Sequence, residues 1–94
     1  MNVFYRSVFK KFVKKQHRAF QLAIEDAVEY IENNPDIGET KKGDLSGFKV
    51  YKFLFHKQEY LIAYTQQSDT IVFYMIGTHE NFYRDLKHYI KEVE

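Results

Sequence analysis

Lys41-Lys42-Gly43-Asp44-Leu45-Ser46-Gly47-Phe48 is the stretch on which the fold turns. Ahead of it apolar residues recur every three or four positions. Behind it they alternate, so a helical half gives way to a strand-forming half across a loop punctuated by Gly38, Gly43 and Gly47.

Downstream, Phe48 and Val50 with Lys49, Tyr51 and Lys52 read as one strand, Glu59 to Thr65 as a second and Ile71 to Ile76 as a third. Turns at His56-Lys57-Gln58 and Gln66-Gln67-Ser68-Asp69 join them into an antiparallel meander. Asn81 to Val93 closes the chain as a short amphipathic helix with Phe82, Leu86, Tyr89, Ile90 and Val93 on its apolar side. Upstream, Val8, Phe9, Phe12 and Val13 form one helical stripe with Lys10, Lys11, Lys14 and Lys15 on the other side. Phe20, Ile24, Ala27, Val28 and Ile31 continue that spacing into a second helix, which Asn33-Asn34-Pro35 ends because the residue before proline is pushed out of the helical region. Asn2 to Arg6, rich in β-formers, reads equally as a short edge strand or as the first turn of the helix, with Ser7 as a candidate cap. The expectation is an α+β domain: an N-terminal helical hairpin and a short C-terminal helix, with the helices packed on one face of a curled antiparallel sheet of three to four strands.

A chain of 94 residues makes one domain, here taken as 1–94. An apolar content of 45% with 18% aromatics supplies a packed interior and argues against disorder. With no cysteine, neither a disulfide framework nor a thiolate metal site is available. The four histidines, His17, His56, His79 and His88, show no ligand spacing, so neither a metal nor another cofactor is expected. Ser7 and Ser46 carry no nucleophile signature, and no nucleotide-cradling glycine loop is present. No signal-like or long apolar stretch occurs, which makes the cytoplasm the default location and a membrane role unexpected.

Net charge is only +1, yet the charges are segregated along the chain. Met1 to Arg18 holds Arg6, Lys10, Lys11, Lys14, Lys15 and Arg18 with no acid; Ala19 to Thr40 holds Glu25, Asp26, Glu29, Glu32, Asp36 and Glu39 with no cation. Lys41 to Lys57 is basic again, with Lys41, Lys42, Lys49, Lys52 and Lys57 against Asp44 alone. Such blocks either give a folded domain a phosphate-attracting face or serve as solvated surface.

The ordered pieces Asn34-Pro35-Asp36-Ile37-Gly38, Lys42-Gly43-Asp44-Leu45-Ser46-Gly47-Phe48, Tyr51-Lys52, Tyr60-Leu61-Ile62-Ala63-Tyr64 and Gly77-Thr78-His79-Glu80-Asn81-Phe82-Tyr83 resemble the RelE/ParE superfamily of bacterial type II toxins over nearly the whole chain. The Gly-Thr-His tail looks closest to the YafQ branch. This resemblance implies a compact toxin that is neutralised by a cognate antitoxin and cuts messenger RNA on the ribosome. The ParE branch, which shares the fold, implies instead a toxin that binds DNA gyrase without nuclease chemistry.

Metal-free RNA cleavage needs a base for the 2′-hydroxyl proton, a cation for charge developing at phosphorus and an acid for the leaving 5′-oxygen. The resemblance places His79 first among the acid or base candidates, Lys52 as the cation, and Glu59 with His56 as further acid–base residues in the hairpin turn. It makes Tyr83 the aromatic that stacks on or orients the nucleotide, although either Phe82 or Tyr83 must pack the last helix. Lys41, Lys42, Lys49, Arg84 and the helix lysines Lys10, Lys11, Lys14 and Lys15 are the candidates for docking on ribosomal RNA. RelE-like members carry an arginine on the central strand where this chain has Leu61, so an arginine-rich scheme is not expected.

Overall fold

The computed structural model describes residues 1–93. In chain order they form β1 (Asn2–Tyr5), α1 (Ser7–Lys14), α2 (Arg18–Asn33), β2 (Glu39–Thr40), β3 (Phe48–Phe55), β4 (Gln58–Gln67), β5 (Thr70–Thr78) and α3 (Phe82–Val93). Single 3₁₀ turns lie at Pro35–Ile37 and Gly43–Leu45. Among the described residues no helix is long and apolar enough to cross a membrane.

The expected meander is β3–β4–β5, and its first hairpin closes through His56 and Lys57, both at positive φ (50° and 67°). That backbone twist matches the twist of the flanking strands, which is why two residues suffice. The sheet has five strands rather than three or four, in the order β1-β5-β4-β3-β2. Asn2 to Tyr5 is the edge strand, not a helical turn, and it pairs parallel to β5, so the sheet is mixed. Arg6 occupies the cap position of α1 with no side-chain cap bond, and Ser7 is already helical.

The larger correction concerns the layers. Phe9 of α1 and Phe20, Ile24, Ala27, Val28 and Ile31 of α2 pack on one face of the sheet, against Ile62, Tyr64, Ile71, Phe73 and Ile76. Phe82 and Leu86 of α3 pack on the other face, against Leu45, Phe48, Val50, Leu61, Ala63 and Met75. The helices therefore cover both faces. The reason is visible in β4, where Leu61, Ile62, Ala63 and Tyr64 are consecutive and each fully buried. Side chains of a strand alternate between faces, so an unbroken buried run requires a cover on each side. Tyr89 and Ile90 pack at the margin of the α3 core; the side chain of Val93, expected on the same stripe, lies outside the described residues.

The Lys41–Phe48 loop owes its glycines to geometry. Gly43 and Gly47 sit at φ of 66° and 92°, left-handed conformations that favour glycine, and between them the chain tucks Leu45 into the α3-side core. The same loop delivers Lys41 to that side of the sheet.

Candidate active site

Three chain segments meet beside α3. At the edge strand β2, Glu39 lies opposite Val50, and the Lys41 N–H donates to the Phe48 carbonyl at 3.0 Å. Val50 and Phe48 belong to the α3-side core, so Glu39 and Lys41, two residues apart in extended chain, present to the α3 face. On β3, Lys52 pairs with Leu61, which pairs in turn with Gly77 of β5. That row is two residues beyond Val50, so Lys52 shares the face but is exposed. From the far side come His79, one residue past the end of β5, and Tyr83, the second residue of α3.

These groups touch through Lys41 and Tyr83. The Lys41 ammonium lies 4.9 Å above the Tyr83 ring centre and forms an ion pair with the Glu39 carboxylate. The hydrogen bond that Lys41 donates to Glu39 raises the Lys41 pKa, with burial opposing and Tyr83 assisting. The same bond, with the Lys41 charge behind it, lowers the Glu39 carboxyl; Lys52 adds a smaller pull in that direction. The His79 ring stands edge-on to Tyr83 at 5.7 Å and an interplanar angle of 80°. Two cations, an imidazole and a phenol thus border one exposed surface, with a carboxylate as the resident anion.

Of the two aromatics left open, Phe82 is buried in the α3 core while Tyr83 packs partly buried at its margin, against Lys41 and His79. Leu61 is fully buried beneath α3, so its position does not reach this surface. Glu59 pairs with Leu54, one row beyond Lys52 on the same face; continuing the β4–β5 register by one step would set it opposite His79. His56 lies elsewhere. Its ring stacks on Phe55 at 4.1 Å, and Phe55 stacks in turn on Phe20 of α2 at 4.8 Å.

The docking candidates also divide. Lys42 is exposed at the start of the Gly43–Leu45 turn, next to Lys41. Lys49 is on the opposite face, paired with Asp36 at 3.5 Å. Arg84 is exposed and paired with its neighbour Asp85 at 3.6 Å. Lys10 and Lys14 line a groove between α1 and α2 whose other wall carries Glu25, Glu29 and Glu32. Lys11 and Lys15 are exposed and make no ion pair among the described residues. Glu39 was not among the sequence candidates; its signal is the i, i+2 spacing to Lys41 in an extended segment, which puts opposite charges side by side. No group of three or more His, Cys, Asp or Glu side chains placed to hold a metal occurs among the described residues.

Residues 3–87 match the family model described as ParE-like toxin of type II bacterial toxin-antitoxin system. The chain belongs to this ParE-like toxin family. Its fold is also that of solved relatives. A chain of the intact E. coli RelBE toxin-antitoxin complex superposes with a TM-score of 0.65 at 13% identity, covering 82% of this chain and 94% of that one. The isolated E. coli RelE toxin gives a TM-score of 0.63 at 13% identity, covering 94% of this chain and 97% of that one. None of the curated proteins matches in sequence. The RelE/ParE resemblance of the sequence motifs thus holds, and the ParE-like chain is a toxin of the type II class by family.

Proposed function

We propose that this ParE-like toxin is a ribosome-dependent messenger-RNA endonuclease and that the surface bordered by Lys41, Lys52, His79 and Tyr83 is its active site. The observation that carries the reading is the contact chain Lys41–Tyr83–His79, with Lys52 one row beyond the Glu39–Val50 pair, on a face left open beyond α3. A phosphodiester seated there meets two ammonium groups, and its charge competes with Glu39 for Lys41. Tyr83 offers an aromatic face to a splayed base, as single-stranded RNA requires. His79 and Glu59 supply the proton transfers: one removes the 2′-hydroxyl proton, O2′ attacks phosphorus, the P–O5′ bond breaks, and the other protonates the departing O5′. Lys52 stabilises the charge that grows on the non-bridging oxygens. His56, stacked on Phe55, takes no part in this scheme.

The toxin–antitoxin complex among the structural relatives supports a further element, a cognate antitoxin that covers this face or the α1–α2 groove and silences the toxin. The family description, ParE-like, favours one alternative, in which the same chain arrests DNA gyrase by binding. Primer extension on messenger RNA in a translating extract, run beside a gyrase supercoiling assay, separates the two. Ribosome-dependent cuts support the nuclease; arrested supercoiling with intact message supports the gyrase reading.

A further inference from the structure

Tyr64 is fully buried in β4, on the α1–α2 side of the sheet, and its hydroxyl is used twice. It accepts the Gly38 N–H at 2.9 Å and donates to the Pro35 carbonyl at 2.7 Å. A phenol has one proton to give, so the second bond uses all of its donor capacity. Burial pushes the phenol pKa up, which keeps that proton in place. Both partners belong to the loop that leads from α2 into β2. The loop rests directly on the ring: a Cβ built on Gly38 would lie 2.7 Å from the Tyr64 oxygen, 2.9 Å from its Cε1 and 3.0 Å from the Lys49 Cβ.

β2 itself is only two residues long, paired as Glu39↔Val50 and Thr40↔Lys49. So short a strand has little to hold its register, and a slip of one residue would turn Glu39 and Lys41 to the opposite face. The nearby Asp36–Lys49 ion pair is a weak anchor, because the Asp36 side chain is 93% exposed. The buried, doubly bonded hydroxyl is the stronger anchor, since leaving the buried Gly38 N–H unsatisfied is costly and the Pro35 carbonyl is itself partly buried.

Building on the nuclease reading, we infer that Tyr64 is a positioning residue for the candidate active site: from the far face of the sheet its hydroxyl fixes the Pro35–Gly38 loop, so that β2 emerges with Glu39 and Lys41 set against Tyr83. Tyr64 touches no substrate. It acts through Lys41.

The test is Tyr64→Phe, which keeps the ring and its packing against Phe73 and removes only the hydroxyl. By amide hydrogen exchange, the Lys41 N–H should exchange about tenfold faster relative to the Ile62 and Ile76 amides of the sheet centre. Single-turnover cleavage on programmed ribosomes should fall about ten- to hundredfold, as displacement of a charged group by an ångström allows. In a Lys41→Gln background the same substitution should cost nothing further, because both changes remove one function. Unchanged Lys41 exchange overturns the inference, and so does an equal loss in both backgrounds, which is what a general loss of stability would give. If Tyr64→Phe fails to fold, Gly38→Ala replaces it. Its φ of −72° suits any residue, so alanine acts there only as a wedge, against the Tyr64 hydroxyl and ring and the Lys49 Cβ, with the same readouts expected. Should the wild-type toxin cut no message, the nuclease reading fails while the exchange measurement still decides whether Tyr64 holds β2.

Discussion

The Lys41 ammonium lies 4.9 Å over the Tyr83 ring while bonded to Glu39, so one side chain joins the sheet's edge strand to the first turn of α3. A cation shared between a carboxylate and an aromatic face is poised for exchange. An incoming phosphate offers it a second anion at the same place.

That pairing sets a pH dependence. The Glu39 carboxyl is depressed by Lys41, so the pair's contribution is present above the ordinary carboxylate range and is lost only as pH falls through the lower, folded-state value. Lys41 is raised, so on the alkaline side the pair persists until pH climbs past the ordinary lysine range. Titration of the Glu39 side-chain carbon by NMR should give a midpoint below that of a free glutamate, rising toward the ordinary value in Lys41→Gln. An unshifted midpoint in the wild-type protein would mean that the pair does not persist in solution. Because both groups are near the surface, Glu39→Gln should change stability little and should tighten ribosome binding.

His79 is exposed beyond the end of β5, so His79→Ala should leave the melting temperature within a degree or two while lowering cleavage about 10²- to 10⁴-fold. Equal toxicity at equal expression would remove His79 from the chemistry.

Docking and chemistry should separate among the lysines. Lys11→Gln and Lys15→Gln should weaken ribosome affinity and flatten its salt dependence, with cleavage by the bound toxin unchanged. Lys10→Gln and Lys14→Gln should do less, because Glu25, Glu29 and Glu32 already face those lysines across the groove. Lys52→Gln should leave binding close to normal and slow the single-turnover step. Normal cutting by Lys52→Gln at saturation would confine Lys52 to binding.

Leu86 is fully buried between α3 and the sheet, so Leu86→Ala should cost about 2–5 kcal/mol in chemical denaturation, as a cavity under that helix requires. A loss below about 1 kcal/mol would mean that α3 does not seal the second face.

Much of this arrangement was legible in the sequence, and the shortfalls have physical causes. The helical hairpin and the meander carry long periodic signals. β1 and β2 do not: four and two residues are too few to show an alternation, and their pairing is decided by the strands they meet. The placement of α3 was readable in principle from the unbroken run Leu61 to Tyr64, but an amphipathic stripe states that a helix buries one side without naming the surface that receives it. Lys49 and Lys52 differ by an odd number of positions in one strand, so they could not share a face; only Lys52 shares the face of Glu39 and Lys41, and its charge acts on Glu39. His79 and Tyr83 come together because the chain turns into α3 between them, with Asn81 at a positive φ of 64°. The Tyr64 hydroxyl bonds span 26 and 29 residues, and no local pattern announces a contact of that range.

The chemistry of the cut ends reports most directly on whether His79 cleaves message on the ribosome. Purified toxin is added to ribosomes programmed with end-labelled message, and the fragments are mapped for the wild type and for His79→Ala. The expected result is ribosome-dependent cleavage that leaves a 5′-hydroxyl and a 2′,3′-cyclic or 3′-phosphate, lost in His79→Ala. Message left intact on the programmed ribosomes, or fragments bearing 5′-phosphates, would contradict it.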